Sequence, residues 1–178
     1  MFGLKNNKIN YRKNLTLCFT GHRPNKLPWG YNENKDSCVR FKHCLLDILE
    51  NAIKNGYSHF ISGMALGVDI ICAETVLKLK QKYKKIFLEC AIPCRNQTLK
   101  WTLNEKKRYN KILKKADYIF FVSDEYSVDC MNKRNEYMID KSDAVLGVWN
   151  KSPSGTAKTI NMAINKNKKI KIIDLNEF

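Results

Sequence analysis

Six short apolar runs, each parted from the next by a stretch of helical periodicity, constrain this chain more than any other feature. The runs span residues 15–20, 59–62, 86–92, 118–122, 144–149 and 170–175. Their length and their β-branched and aromatic content suit strands. Residues 36–55 carry Val39, Phe41, Leu45, Leu46, Ile48, Leu49, Ala52 and Ile53 at spacings of three and four, with Asp36 or Ser37 as cap and Gly56 as stop. Helices are predicted likewise for the segment holding Ile70, Ile71, Ala73, Val76, Leu77 and Leu79, and for about 101–114, 129–141 and 156–165. Strands separated by helices of this length pair in parallel, through crossovers. The expected fold is α/β, a Rossmann-like three-layer fold with a mainly parallel sheet of about six strands and helices on both faces.

The sequence is long enough for one domain with a substantial core, placed at 15–178. Residues 1–14 have no apolar core and no small-residue cleavage site, so they read as a polar lead-in, partly disordered, rather than a signal peptide. No run approaches the roughly 18 apolar residues that span a bilayer, so no membrane partner is expected. The seven cysteines are an odd number, and Cys18, Cys72 and Cys90 sit in apolar runs, which points to reduced thiols and a cytoplasmic protein. None of His22, His43 and His59 pairs with a cysteine at zinc-ligand spacing; neither a metal nor a cofactor is expected. A homo-oligomer is.

The formal charge of +15 invites a nucleic-acid reading. Yet only six of the 32 basic residues are arginines, and the lysines are spread over helix faces such as 78–85, 106–115 and 166–171. A solvated lysine surface is the preferred explanation. Nucleic-acid binding, if present, is then weak and salt-sensitive.

In open parallel sheets the ligand lies beyond the carboxyl ends of the strands. The segments that follow the predicted strands supply one set of candidates: Thr20, Gly21, His22 and Arg23 after the first, and Gly63, Met64, Ala65 and Asp69 after the second. Gln97 follows the third strand, Ser123 the fourth, and Ser154, Gly155 and Thr156 the fifth. The Pro153-Ser154-Gly155-Thr156 turn opens straight into a helix, an arrangement that presents unpaired N–H groups and a positive dipole end to an anion. Arg134, on the preceding helix beside Asn135, is placed to add a bidentate, charge-assisted grip on the same phosphate or on a carboxylate. Asp69 or Glu74 can accept hydrogen bonds from ribose hydroxyls, and Trp29, Tyr31 and Trp101 are candidates to stack on a base, or else to plug the edge of the core. Trp149 ends a buried strand and suits core or pocket wall. The G-x-G-x-x-G and G-x-x-x-x-G-K-[ST] patterns are absent, which disfavours an ordinary NAD dehydrogenase or P-loop NTPase.

Several of these segments together resemble the YpsA-like branch of the SLOG superfamily: Thr20-Gly21-His22-Arg23-Pro24, the S-G-M-A-L-G-V-D segment at 62–69 with Ala73-Glu74, Gln97 with Trp101, and the block from Arg134-Asn135 to Thr156. The superfamily also holds the LOG phosphoribohydrolases and the DNA-processing protein DprA. The resemblance implies a Rossmann-like fold and a nucleotide or nucleotide-derived ligand. Arg134-Asn135-Glu136-Tyr137-Met138 is similar to the R-K-x-x-M motif of the LOG enzymes, with asparagine in place of lysine. Pro153-Ser154-Gly155-Thr156 keeps the phosphate-cradling end of P-G-G-x-G-T-x-x-E, but Thr159 stands where that motif has its glutamate. A carboxylate that helps break an N-glycosidic bond is therefore missing from its place, leaving Asp69, Glu74, Asp124 and Arg134 as candidates for any catalysis. The favoured expectation is a module that senses or sequesters a nucleotide, ADP-ribose-like or cyclic. The alternatives are a nucleotide N-glycosidase and a DprA-like DNA binder.

Overall fold

The computed structural model of the protein describes residues 14–178. Apart from Asn14, the lead-in expected at 1–14 lies outside the described residues. Six strands, β1 (Leu15–Gly21), β2 (Tyr57–Ser62), β3 (Phe87–Cys94), β4 (Tyr118–Ser123), β5 (Ala144–Trp149) and β6 (Lys169–Asp174), form a single sheet of order β4-β3-β2-β1-β5-β6. Every neighbouring pair is parallel, as crossover connections require. The crossovers are α1 (Asp36–Lys54), α2 (Val68–Leu79), α3 (Leu103–Leu113), α4 (Cys130–Lys141) and α5 (Gly155–Asn165).

Alternation along the strands assigns residues to two cores. Leu17 and Phe19 of β1, with Leu146 and Val148 of β5, face the layer of α1, α2 and α3; Cys18 and Val145 face α4 and α5. In α1 the buried stripe is Cys38, Phe41, Leu45 and Leu49, whereas Val39 lies outside it and is exposed. Lys35, not Asp36 or Ser37, is the N-cap of α1, and it makes no side-chain cap bond. A capping box sets the start of α3 two residues later than periodicity alone predicts: Thr102 Oγ1 accepts from the Glu105 N–H at 3.3 Å, and Glu105 Oε2 accepts from the Thr102 N–H at 2.7 Å. Strand β3 runs on through Pro93, where the sequence suggests a stop. No β2 residue pairs beyond Cys90, so the missing N–H of Pro93 breaks no bond on that side.

The chain leaves β1 toward β2 on one side, while β5 docks on the other. The strand order therefore reverses between β1 and β5, a topological switch point, and the loops after these two strands part to leave a crevice.

Candidate functional site

A cavity of about 310 Å³ opens at this crevice. Its first wall is the end of β1 and the segment after it, Thr20, Gly21, His22, Arg23, Asn25 and Lys26. Ser154, Gly155, Thr156 and Thr159 at the start of α5 form the opposite wall, and Ala65 and Asp69 with Met131, Asn132, Arg134 and Asn135 of α4 complete it. A second cavity of similar size, lined by Tyr31, Leu66, Gln97 and Trp101, shares Arg23, Asn25, Ala65 and Met131 with the first.

The α5 wall is a capped helix start. Ser154 caps the helix, its Oγ accepting from the Ala157 N–H at 3.2 Å. Trp149 Nε1 donates to the Ser152 carbonyl at 2.7 Å, which pins the loop leading to the cap. A Cβ built on Gly155 would meet no atom within 4 Å, so the first turn of α5 faces open space. Lys26 reaches across to donate to the Pro153 carbonyl at 3.1 Å and ties the β1 loop to this wall.

The floor is a buried charge pair. Arg134 is 6% exposed and its Nη1 lies 3.6 Å from Asp69 Oδ2. Nη1 also donates to the Gly63 carbonyl, and Nε donates to Asn135 Oδ1 at 2.8 Å. A side chain at Gly63 would collide with the Arg134 guanidinium, which explains the glycine there. Asp69 Oδ2 accepts from the Ala65 N–H at 3.3 Å. Burial holds the Asp69 carboxyl above its ordinary range against the pull of Arg134, and burial likewise lowers the Arg134 value against the pull of Asp69. Much of the donor capacity of Arg134 is thus committed within the fold. By contrast, Arg23 makes no ion pair among the described residues and stands where the two cavities meet.

His22 is buried, and its tautomer follows from its neighbours. The Ser152 N–H donates to Asn150 Oδ1 at 3.1 Å, which identifies that atom as the oxygen. His22 Nε2, at 2.7 Å from the same oxygen, must then carry the proton. Burial lowers the His22 value below the ordinary 6.5, so the ring is neutral. Gly67 (φ 96°) makes the turn into α2, where a Cβ would stand 2.5 Å from the His22 carbonyl.

Not every candidate gathers here. Glu74 lies away from both cavities: its carboxylate takes Arg108 Nε at 2.8 Å and Nη2 at 2.7 Å, and Arg108 in turn holds Glu33. Ser123 ends β4, three strands away from β1, and lines neither cavity. Asp124 is an exposed partner of Arg95. Trp29 is only 1% exposed and stacks on Phe41 at 4.9 Å, a core residue and not a base platform. Gly63 and Met64 form the shelf beneath the site: Met64 is buried at φ 55°, and its carbonyl accepts from Gln97 Nε2 at 2.8 Å. Sequence reasoning missed Asn25, Lys26, Met131 and Asn132. Met131 was within reach of it, since it stands one helical turn before Arg134 and Asn135 on the same stripe. Among the described residues no group of three or more His, Cys, Asp or Glu side chains could hold a metal ion, and no helix is long and apolar enough to cross a membrane.

A six-stranded parallel sheet with a polar, cation-bearing crevice at its switch point defines a Rossmann-like α/β protein. Residues 17–177 match the profile of the YpsA family, described as the YspA SLOG family, and the chain belongs to that family. The SPbeta prophage-derived protein YoqJ of Bacillus subtilis is 36% identical over 138 residues, covering 70% of this chain and 81% of YoqJ. The UPF0398 protein BH1768 of Halalkalibacterium halodurans is 27% identical over 142 residues, covering 79% of this chain and 75% of that protein. Among solved structures, DNA processing protein A from Helicobacter pylori, described for its single-stranded DNA binding mode, has a TM-score of 0.61 at 21% identity. The Streptococcus pneumoniae protein DprA has a TM-score of 0.60 at 14% identity. These two likenesses show the shared fold; they cover 90% and 89% of this chain but 65% and 50% of the larger proteins.

Proposed function

We propose that the protein binds a nucleotide or nucleotide-derived ligand, with a phosphate at the start of α5 and the rest of the ligand extending past Arg23 into the second cavity. The observation that carries this reading is the open first turn of α5 facing Arg23 across the switch-point crevice. The adjoining cavity offers Tyr31 and Trp101 as aromatic surfaces beside an amide, Gln97, a suitable lining for a base. In this reading the protein senses or sequesters its ligand: Asn135 Nδ2 donates to Thr159 Oγ1 at 3.0 Å, and this neutral pair offers no carboxylate for cleavage. Calorimetric titration with ADP-ribose and AMP tests it. Saturable binding that weakens at least tenfold in Arg23→Ala and in Gly155→Val is expected. Equal binding by the wild type and both variants would remove the site assignment.

A second reading, binding of single-stranded DNA, is favoured by a different place in the fold. A groove of about 530 Å³ between α2 and α3 is lined by Lys78, Lys80, Lys84, Lys111 and Lys115. Such a surface would bind polyanions with a steep salt dependence. Binding to oligonucleotides that survives physiological salt and falls in Lys84→Ala/Lys111→Ala, but not in Arg23→Ala, would favour this reading over the first.

A further inference from the structure

Among the described residues, the end strand β4 pairs with β3 alone and leaves one edge of the sheet open. Of the twelve large hydrophobic side chains exposed among the described residues, four lie on these strands, Phe87 on β3 and Tyr118, Ile119 and Phe120 on β4, and two more, Tyr126 and Val128, follow in the segment after β4. Those on the α4 side are held in order by stacking. Phe120 lies on Tyr137 with ring centroids 4.2 Å apart, Tyr118 lies on His59 at 5.6 Å, and Phe87 tilts against Tyr118 at 6.2 Å. Pre-ordered aromatics lose little entropy when a partner covers them.

Natural sheets guard an open edge with lysine, proline or inward-pointing charge. This chain has 32 basic residues, yet none falls between Lys115 and Lys133. The two acidic residues flanking β4 already have cations of their own: Lys80 pairs with Asp117, and Arg95 Nε lies 3.1 Å from Asp124 Oδ1. Elsewhere two molecules of charge +15 repel each other; along β4 they can approach without facing free lysines. The area also fits. Over the two faces of this edge and the segment that follows it, the six side chains leave roughly 600 Å² uncovered, and with the strand backbone this approaches the ~800 Å² per partner of a stable interface.

We propose that the open edge of β4, with the aromatic face beside it, binds a second copy of this chain. The two β4 strands pair antiparallel about a two-fold axis, joining two six-stranded sheets and satisfying the outward N–H and C=O groups of both. Tyr118 and Phe120 of each copy then cover one another on the α4 side, and Ile119 does so on the opposite face. The ligand crevice lies three strands away and stays open in this dimer.

Light scattering on a sizing column, run from low to high micromolar, is expected to give twice the 20.7 kDa chain mass for the wild type. Ile119→Lys and Tyr118→Lys, both at exposed positions, are expected to give monomers with unchanged circular dichroism. Should either variant fail to fold, hydrogen exchange of the wild type supplies the same information: the amides of 118–123 gain protection as concentration rises and the dimer fills. A wild type that stays monomeric throughout, and so keeps this face for another partner, overturns the proposal. So does a dimer that persists in both variants, or an assembly larger than a dimer, because two-fold pairing closes on itself.

Discussion

Asn135 Nδ2 donates to Thr159 Oγ1 at 3.0 Å, and Thr159 Oγ1 donates onward to the Gly155 carbonyl at 3.0 Å. The two departures from the LOG motifs, asparagine for lysine and threonine for glutamate, thus sit against each other as one neutral hydrogen-bonded pair. Arg134 is part of the same chain of contacts through Nε and Asn135 Oδ1. Where the LOG pattern has a carboxylate and an ammonium, this site has an amide and a hydroxyl that are already satisfied.

Base release from AMP is accordingly expected to stay at the buffer rate. Loss of a single preorganised electrostatic group commonly costs about 10²–10³ in rate. Thr159→Glu alone would set a carboxylate against an amide; Asn135→Lys with Thr159→Glu restores both charges. Detection of free adenine by chromatography checks this. Rapid release by the wild type, abolished in Asp69→Asn, would show that a relocated carboxylate does the chemistry.

The two arginines at the crevice are expected to separate in their effects. Arg23→Ala removes a cation that makes no ion pair among the described residues, so its melting temperature should stay near the wild type while nucleotide affinity falls about ten- to a hundredfold, the range of a charge-assisted hydrogen bond. Arg134→Ala leaves Asp69 buried without its cation, the type of change that costs about 3–5 kcal/mol. Thermal melts and titrations of both variants distinguish the roles. A stable Arg134→Ala protein that has merely lost affinity would assign the phosphate to Arg134 instead.

Much of this was legible in the sequence, and the rest was not for definite reasons. Alternation of runs located all six strands and five helices, because a parallel sheet buried on both faces writes continuous apolar segments. The end of β1, the 63–69 loop and the start of α5 were recognisable as rim because they directly follow strands. Strand order is not written locally, so nothing in the sequence said that Ser123 stands three strands, about 14 Å, from β1. Glu74 could have been excluded by helical phase. It lies five residues after Asp69, about 140° around the helix, and so faces away from the crevice. Arg134 looked like a free anion clamp because its commitments to Gly63 and Asp69 are long-range.

Facing away from the crevice, Glu74 has a structural role. Arg108 is held between Glu74 and Glu33, with Nη1 to Glu33 Oε1 at 2.6 Å and Nη2 to Glu74 Oε2 at 2.7 Å. Glu74→Gln is expected to leave nucleotide affinity unchanged. Arg108→Met, which leaves two carboxylates facing each other, is expected to lower stability by about 1–2 kcal/mol, a figure reduced for the partial exposure of all three groups. Chemical denaturation of both variants beside ligand titration checks the pair of outcomes. An affinity loss in Glu74→Gln would return that carboxylate to the ligand site.

The neutral His22 makes stability depend on pH in a predictable direction. Burial depresses its folded value below the ordinary 6.5 of the unfolded chain, despite the Asn150 hydrogen bond that favours protonation. Between the two values the unfolded chain binds more protons, so stability rises with pH across that window. The contribution is fully present above about 6.5 and is lost as pH falls toward and through the folded value. Protonation also places a second donor on a ring held between the β1 end and Asn150, beside Lys26, whose charge opposes it. His22→Gln, neutral at every pH, isolates the effect by subtraction, and titrations common to both proteins cancel. The stability of the wild type relative to His22→Gln is expected to decline from pH 7 to pH 5, read from urea denaturation midpoints. A flat difference curve would mean that His22 takes up its proton as readily in the folded crevice as in water.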